Sequence, residues 1–285
     1  MSMRAALLLP IVLVSALAAQ PSVTPLGHGL YAYISDNDAS ANSTFLVGDA
    51  AILVVDTGLN ASEGTKLLHA IRQVSSLPVK YIVNTHYHPD HQGGNATVGR
   101  AAQVINTDFT RQRTEALMKA PAFTAVGLRP AELTFQQHLT LHVDPHTVEI
   151  YFPGKAHTSG DALVYFPQQR AIAMGDLFLN RSSPAMDEGS VANWIAALDK
   201  TLELPLDHIV PGHFELGTKA DLSRFRDYLS DLYQQVQTLK QKHETLDQVR
   251  RELHMEKFSD FRQYPKFEAT FSDNAAVIYQ ELQAH

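Results

Sequence analysis

The first part of the chain alternates between short apolar segments and polar, glycine-containing breaks. Apolar or alternating runs over residues 30–34, 44–47 and 51–55 predict three strands. Apolar residues then recur at helical spacing, which predicts a helix over residues 62–74 with Ser62 as its N-cap. An apolar run over 79–84 predicts a buried strand that leads into a histidine-rich segment.

The same succession of strands and helices continues to the end of the chain. It predicts a layered α/β sandwich, with functional side chains on the loops that leave the strand ends. Because no repeat or Pro/Ser-rich linker divides the chain, we expect one domain over residues 20–240 and a helical extension over 241–285 packed on it. The further predicted strands cover 103–106, 139–143, 148–152, 162–166, 171–174 and 207–210, and the helices cover 107–119, 191–204, 222–242, 245–254 and 274–282.

Residues 86–91, with the sequence HYHPDH, place His86, His88, Asp90 and His91 close together. Pro89 disfavours helical backbone at His88 and lacks an N–H, so the segment is predicted to be a loop or extended turn. Extended backbone would aim His86 and His88 to one side. Imidazole nitrogens suit zinc, and a carboxylate can complete a second metal position. The alternative is a polar turn with surface histidines.

Four further loops follow apolar strands and carry one polar candidate each. His157 lies in the loop over 154–161, and Asp176, His213 and Asp56 each come just after a predicted strand. Rigid strands with functional loops are a common way to hold a site. Taken alone, the histidines could be core or surface residues, Asp176 could cap a helix, and Asp56 could be an ordinary turn residue.

Together, these motifs resemble the metallo-β-lactamase superfamily of metallohydrolases over about residues 26–235. The resemblance rests on the VDTG segment ending a strand, the HYHPDH loop, the His157 segment, Met-Gly-Asp176 and Pro-Gly-His213, in that order. It implies an αββα sandwich with the site at one edge of the two sheets. It also implies that Asp56 orients the histidine loop.

The resemblance further implies two zinc ions per chain. One ion would be held by His86, His88 and His157, the second by Asp90, His91 and His213, with Asp176 bridging the two. Two metals can lower the pKa of a water molecule and polarise a carbonyl, so the expected chemistry is attack of metal-bound hydroxide on a carbonyl. Asp90 is the candidate catalytic residue, since it could accept and return a proton. Iron or manganese would also fit these ligands.

The substrate expectation depends on position 176. In the best-known β-lactamase subclass, a cysteine stands there and a lysine follows three residues later, whereas this chain has Asp176 and Leu179. A bridging aspartate resembles thioesterases of the glyoxalase II type and acyl-homoserine lactonases. We therefore expect a hydrolase opening a lactone or lactam, or cleaving a related ester. The alternatives are a β-lactamase, a thioesterase and a mononuclear iron sulfur-dioxygenase.

Three further residues are candidates for the lining of a substrate cleft. Arg181 could hold a substrate carboxylate or be a solvated loop residue, and Phe178 and Trp194 could line an apolar wall or belong to the core.

The composition limits the kinds of partner that we expect the protein to bind. A net charge of −7 over 285 residues argues against nucleic acid and favours a small-molecule substrate. Arg4, an apolar run of about 13 residues and the small residues near Ala18 predict a signal peptide over residues 1–19. The run is shorter than the ~20 residues that span a bilayer, so we expect a secreted or periplasmic protein with no stable membrane anchor after cleavage. Neither the oligomeric state nor the substrate follows from the sequence.

Overall fold

The computed structural model describes residues 21–123, 126–186, 188–263 and 267–283. Within these residues, two mixed β-sheets pack face to face and helices cover both outer faces. The predicted αββα sandwich is therefore confirmed. The predicted signal peptide over residues 1–19 lies outside the described residues.

The N-terminal sheet follows the order of the chain. Its first four strands pair antiparallel, and the pairings from the fourth strand onward are parallel. Its strands, in spatial order, are β1 (Ser22–Gly27), β2 (Leu30–Ile34), β3 (Ser43–Val47), β4 (Ile52–Val55), β5 (Val79–Val83), β6 (Gln103–Thr107) and β7 (Leu133–Phe135).

The second sheet contains an antiparallel meander and one parallel strand at its edge. The parallel pair joins its last two strands, and a helix lies between them in the chain. The strands are β8 (His138–Val143), β9 (His146–Tyr151), β10 (Leu163–Phe166), β11 (Ala171–Ala173) and β12 (His208–Val210).

The helices lie on the two outer faces and at the edge of the sheets. The first lies against the outer face of the N-terminal sheet, and the fifth and sixth lie against that of the second sheet. The helices are α1 (Ala61–Val74), α2 (Pro89–Gln92), α3 (Asn95–Val98), α4 (Asp108–Met118), α5 (Val191–Glu203), α6 (Lys219–Gln241), α7 (Leu246–Glu252) and α8 (Phe267–Glu281).

Successive side chains of the buried strands belong alternately to the core between the two sheets and to the layer between a sheet and its helices. In β4, Leu53 and Val55 belong to the core between the two sheets, while Ile52 and Val54 pack towards α1. Successive side chains of a strand point to opposite faces, so a strand that is apolar throughout can bury both faces. Burial of each such side chain contributes roughly 1.5–3 kcal/mol, which makes these strands a firm support for the loops at their ends.

The sequence prediction missed β1 and β7, which are the two edge strands of the N-terminal sheet. Edge strands bury less, so their residues lack a clear alternating pattern, and β1 contains Pro25, which has no N–H to donate to a neighbouring strand and is found in sheets mainly at edges and bulges. The predicted N-cap of α1 was also wrong. The helix begins after Asn60, whose side chain accepts hydrogen bonds from the amides of Ser62 and Glu63.

The C-terminal extension packs as helices on the outer layer. Ala275 and Ile278 of α8 are buried in the same cluster as Leu229 and Leu232 of α6. The division of the chain at residue 240 stays a prediction. Among the helices that the structure describes, none is both long enough and apolar enough to cross a bilayer.

Candidate metal centre

The candidate ligands leave strand ends that lie at one edge of the sandwich. Parallel pairing aligns Val55 with Val83, and Ala173 with Val210, so the segments that follow leave the sheets side by side. The amide of Ala162 donates to the carbonyl of Thr85 at 2.7 Å and ties the two sheets together there. The fold therefore collects loops that are distant in sequence.

The histidine segment differs from the predicted loop in its second half. Pro89 begins the one-turn helix α2, at a position where a missing N–H costs nothing. His88 precedes it in extended conformation, with φ −61° and ψ 140°. The backbone changes from extended to helical at Pro89. As a result, His86 and His88 belong to one group of candidate metal ligands, and Asp90 and His91 belong to another.

The first group combines His86, His88, His157 and Asp176. One ligand atom from each lies within 4.8 Å of the others. Nε2 of His157 is 3.3 Å from Nδ1 of His88 and 3.6 Å from Oδ2 of Asp176. Three imidazoles and a carboxylate oxygen around one point are a ligand set that suits zinc and related divalent ions.

The second group combines Asp90, His91 and His213, again within 4.8 Å. Oδ2 of Asp90 lies 3.1 Å from Nε2 of His213 and 3.5 Å from Nε2 of His91. The Asp90 side chain is 24% exposed while that of His91 is fully buried, so Asp90 is the ligand of this group that faces solvent.

Asp176 lies between the two groups. Its Oδ1 is 3.1 Å from Nε2 of His91 and 3.5 Å from Nε2 of His213, whereas its Oδ2 faces His157. Gly212 makes this position possible, because a Cβ there would overlap Oδ1 of Asp176. The structure thus brings together all seven residues selected from the sequence, with Asp176 between the two groups.

Asp56 holds the second group in orientation. Its Oδ2 lies 2.8 Å from Nδ1 of His91 and accepts a 2.7 Å hydrogen bond from the Thr85 hydroxyl, and its Oδ1 accepts from the Thr85 amide at 2.8 Å. A carboxylate can only accept, so Nδ1 of His91 carries the proton and Nε2 keeps its lone pair for a metal. Asp56 has a φ of 54°, in the left-handed region that aspartate and asparagine adopt more readily than most other residues with a side chain.

Two orienting groups escaped the sequence analysis. Thr85, directly before the histidine segment, lies 3.1 Å from Nδ1 of His86 through its hydroxyl. The carbonyl oxygen of Ala185 lies 3.1 Å from Nδ1 of His157. Thr85 could have been suspected from its position, but a backbone carbonyl 28 residues away in sequence has no signature.

Unpaired polar atoms show that the site suits a cation. Nε2 of His86 is buried and has no hydrogen-bond partner, and Nε2 of His91 and Oδ1 of Asp176 are buried and lie 3.1 Å apart without making a hydrogen bond of good geometry. A buried polar atom without a partner costs roughly 1–3 kcal/mol, and a bound ion would supply one for each of them. The residues present therefore fit divalent metal ions.

The charges of the site are strongly coupled. Burial alone would raise the pKa of Asp176, but His91 and His213 lower it well below its usual value. Burial would lower the pKa of His91, but Asp176, Asp56 and Asp90 raise it well above its usual value. For His86, burial and the neighbouring imidazoles both lower the pKa. The carboxylates and imidazoles of the centre therefore shift one another's pKa values in opposite directions.

The three residues expected as possible parts of a substrate cleft lie elsewhere, in the core or in an exposed loop. Phe178 and Trp194 are fully buried in the core, and the Trp194 ring packs 5.5 Å from that of His157. Both side chains pack in the core behind the candidate metal ligands and do not line a substrate cleft. Arg181 is an exposed loop residue with a φ of 55°.

This four-layer sandwich, with two groups of histidines and carboxylates at one edge, defines the class of metal-binding hydrolases. The family model described as the Metallo-beta-lactamase superfamily matches residues 36–213. The chain belongs to that superfamily.

Two curated relatives share parts of this sequence. The alpha subunit of 2,4-dinitroanisole O-demethylase from Nocardioides sp. (strain JS1661) is 28% identical over 171 residues, which are 59% of this chain and 50% of that protein. The type 2 metallo-beta-lactamase of Bacillus cereus is 25% identical over 209 residues, 71% of this chain and 78% of that protein. The match therefore spans only half of the demethylase subunit.

Solved structures support the fold. A metallo-beta-lactamase from Pontibacter korlensis superposes with a TM-score of 0.64 at 23% identity, covering 74% of this chain and 99% of that one. An inverting sec-alkylsulfatase from Pseudomonas sp. superposes with a TM-score of 0.72 at 16% identity, covering 91% of this chain and 50% of that one. At these identities the likeness concerns architecture alone.

Proposed function

We propose that the protein is an exported dinuclear-zinc hydrolase that opens a lactone or lactam or cleaves a related ester. The observation that carries the proposal is the position of Asp176, with one oxygen towards each group of ligands. Zinc ions bound on both sides would activate a water molecule and polarise the carbonyl of the substrate. Zinc is the preferred ion because the ligands are imidazole nitrogens and carboxylate oxygens in two compact groups.

Asp90 is the proposed proton carrier. Its carboxylate is the more exposed of the two in the centre, at 24% against 12% for Asp176. It could therefore reach a leaving group, while Asp176 is enclosed by histidines. A carboxylate within hydrogen-bond reach of the reacting atoms can accept a proton from the nucleophile and return it to the leaving oxygen or nitrogen.

The residues at positions 176 and 179 favour a lactone or ester over a β-lactam. Leu179 is 8% exposed and packs in the core, so it offers no cation for a substrate carboxylate. An alkoxide leaves more readily than an amide nitrogen and needs less stabilisation by a second metal. A β-lactamase is the second candidate, because the Bacillus cereus enzyme matches over 78% of its length.

Metal analysis and steady-state kinetics on the same preparation of protein test the proposal. Protein purified without chelator should contain about two zinc ions per chain, by elemental analysis. Lactones or aryl esters should exceed penicillin, cephalosporin and carbapenem in kcat/KM by at least about tenfold, or 1.4 kcal/mol. One iron and no zinc after zinc supplementation would contradict the dinuclear site. If a β-lactam is the best substrate of the panel, the lactonase proposal is wrong and the β-lactamase takes its place.

Export and partners are part of the proposal. The pattern over residues 1–19 supports removal of a signal, which leaves a secreted or periplasmic protein that acts on a small molecule, does not bind nucleic acid and has no stable membrane anchor. Mass spectrometry of the native protein should place the mature N-terminus between residues 18 and 22. An intact Met1, or loss of Met1 alone, would rule out export by this route.

A further inference from the structure

The C-terminal helix α8 contacts the segment between Asp176 and α5. The buried side chain of Asn274 donates to the hydroxyl of Ser183 at 3.1 Å and to the carbonyl of Pro184 at 2.8 Å. Tyr228 of α6 shares the Ser183 hydroxyl at 2.6 Å. A helix near the end of the chain therefore anchors the backbone directly before Ala185.

A second residue of α8 anchors the other end of this segment. The carboxylate of Glu281 accepts from the Ser190 hydroxyl at 2.7 Å and from the Val191 amide at 3.0 Å. These groups lie at the N-terminus of α5, where a negative charge is favourable because the first amides of a helix have no partner within it. Asn274 and Glu281 thus hold two points of one segment.

Between these two points, the segment contacts the first group of ligands. Ala185 orients His157 through its carbonyl, and the amide of Ser190 donates to the carbonyl of Ala156 at 3.0 Å. The hydroxyl of Ser159 also lies 3.4 Å from the carbonyl of Glu188. The loop that carries His157 is therefore held against a segment that α8 holds in turn.

We infer that Asn274 and Glu281 are positioning residues for the metal ligand His157. The Ala185 carbonyl can only accept, so its place determines that Nδ1 of His157 is protonated and that Nε2 points to the metal. If the segment shifts, this hydrogen bond lengthens and the imidazole loses its orientation. The family match ends at residue 213, so α8 adds this contact from outside the matched region.

The inference rests on metal binding by the first group and is independent of the substrate. Loss of a group that orients a metal ligand typically lowers metal affinity by 10–100-fold. Asn274→Leu keeps the size of the side chain but removes both donors, so we expect zinc affinity of the first group to fall about tenfold. Glu281→Ala should act in the same direction, and Glu281→Gln, which keeps an acceptor oxygen, should restore most of the affinity.

The experiment titrates the metal-free full-length protein with zinc in competition with a chromophoric chelator. Asn274→Leu is made alone, with His86→Ala and with His213→Ala. His86→Ala already disables the first group, so Asn274→Leu should then add no loss, whereas the tenfold loss should persist with His213→Ala. This cycle separates an effect on one metal group from general destabilisation.

Gln235→Leu is the matched control. Gln235 joins α6 to the C-terminal extension by accepting from the His254 amide at 2.9 Å and donating to its carbonyl at 2.8 Å. It should lower the unfolding temperature without changing zinc affinity. Unchanged affinity in Asn274→Leu, or an equal loss in the His86→Ala background, overturns the inference. Absence of zinc binding by the unsubstituted protein overturns the proposed function and this inference with it.

Discussion

Replacing Asp56 by Asn tests whether the second group of ligands depends on its orienting carboxylate. Asp56 is 2% exposed and accepts three hydrogen bonds, two from Thr85 and one from His91. Asparagine has nearly the same shape and tolerates the left-handed backbone at this position. Its Oδ1 can still accept from the Thr85 amide. Its amide nitrogen, however, would face Nδ1 of His91, donor against donor.

The structure sets the size of the effect. A hydrogen bond to a charged group contributes about 1.5–3 kcal/mol, and Asp56→Asn removes one of them from His91 directly. Part of this loss is recovered if the His91 ring exchanges its protonated nitrogen, but Nε2 is then protonated and no longer available to a metal. We therefore expect zinc affinity of the second group to fall by about 10–100-fold, or 1.4–2.7 kcal/mol.

The assay is a competition titration of zinc against a chromophoric chelator, with two binding events fitted separately. The weakened event should be the one that His213→Ala also weakens, and kcat/KM should fall with it. Asp207→Asn is the control, because it removes an exposed ion pair with Arg170 away from the centre. Zinc affinity of Asp56→Asn within about twofold of that of the unsubstituted protein would refute the reasoning.

Two further predictions follow from the geometry and charges of the centre. Gly212→Ala should lower zinc content towards one ion per chain, because the added methyl overlaps Oδ1 of Asp176; two ions with unchanged affinity, by elemental analysis and titration, would show that the backbone adapts. Zinc binding should also release protons at neutral pH, because neighbouring carboxylates outweigh burial and raise the pKa values of His91 and His213, while a metal binds only neutral imidazole. Affinity should therefore rise with pH until these raised pKa values are passed. Calorimetry in two buffers of different ionisation enthalpy measures the release, and a binding heat independent of the buffer would contradict it.

Several parts of the fold were predictable because each strand and helix has a clear local pattern. The buried strands β4 and β10 are apolar at every position, and α1 repeats its apolar residues at helical spacing. The edge strands β1 and β7 were missed because a strand with only one neighbour and partial burial needs no such pattern. The start of α1 was misplaced by two residues, since both Asn60 and Ser62 are chemically suited to cap a helix.

The sequence by itself selected the side chains that meet in the candidate centre. Each of the seven candidate ligands lies directly after or between strands, in short motifs of histidine, aspartate and glycine, and such local chemistry can be recognised without coordinates. Tertiary structure alone decided how His157 is oriented. The carbonyl of Ala185 lies 28 residues of sequence from its partner His157, and the side chain of Asn274 lies 91 residues from its partner Ser183. Backbone carbonyls are identical in every residue, and an amide on a distant helix has no motif. Their roles arise only when packing brings the Ala185 carbonyl to His157 and Asn274 of α8 to Ser183.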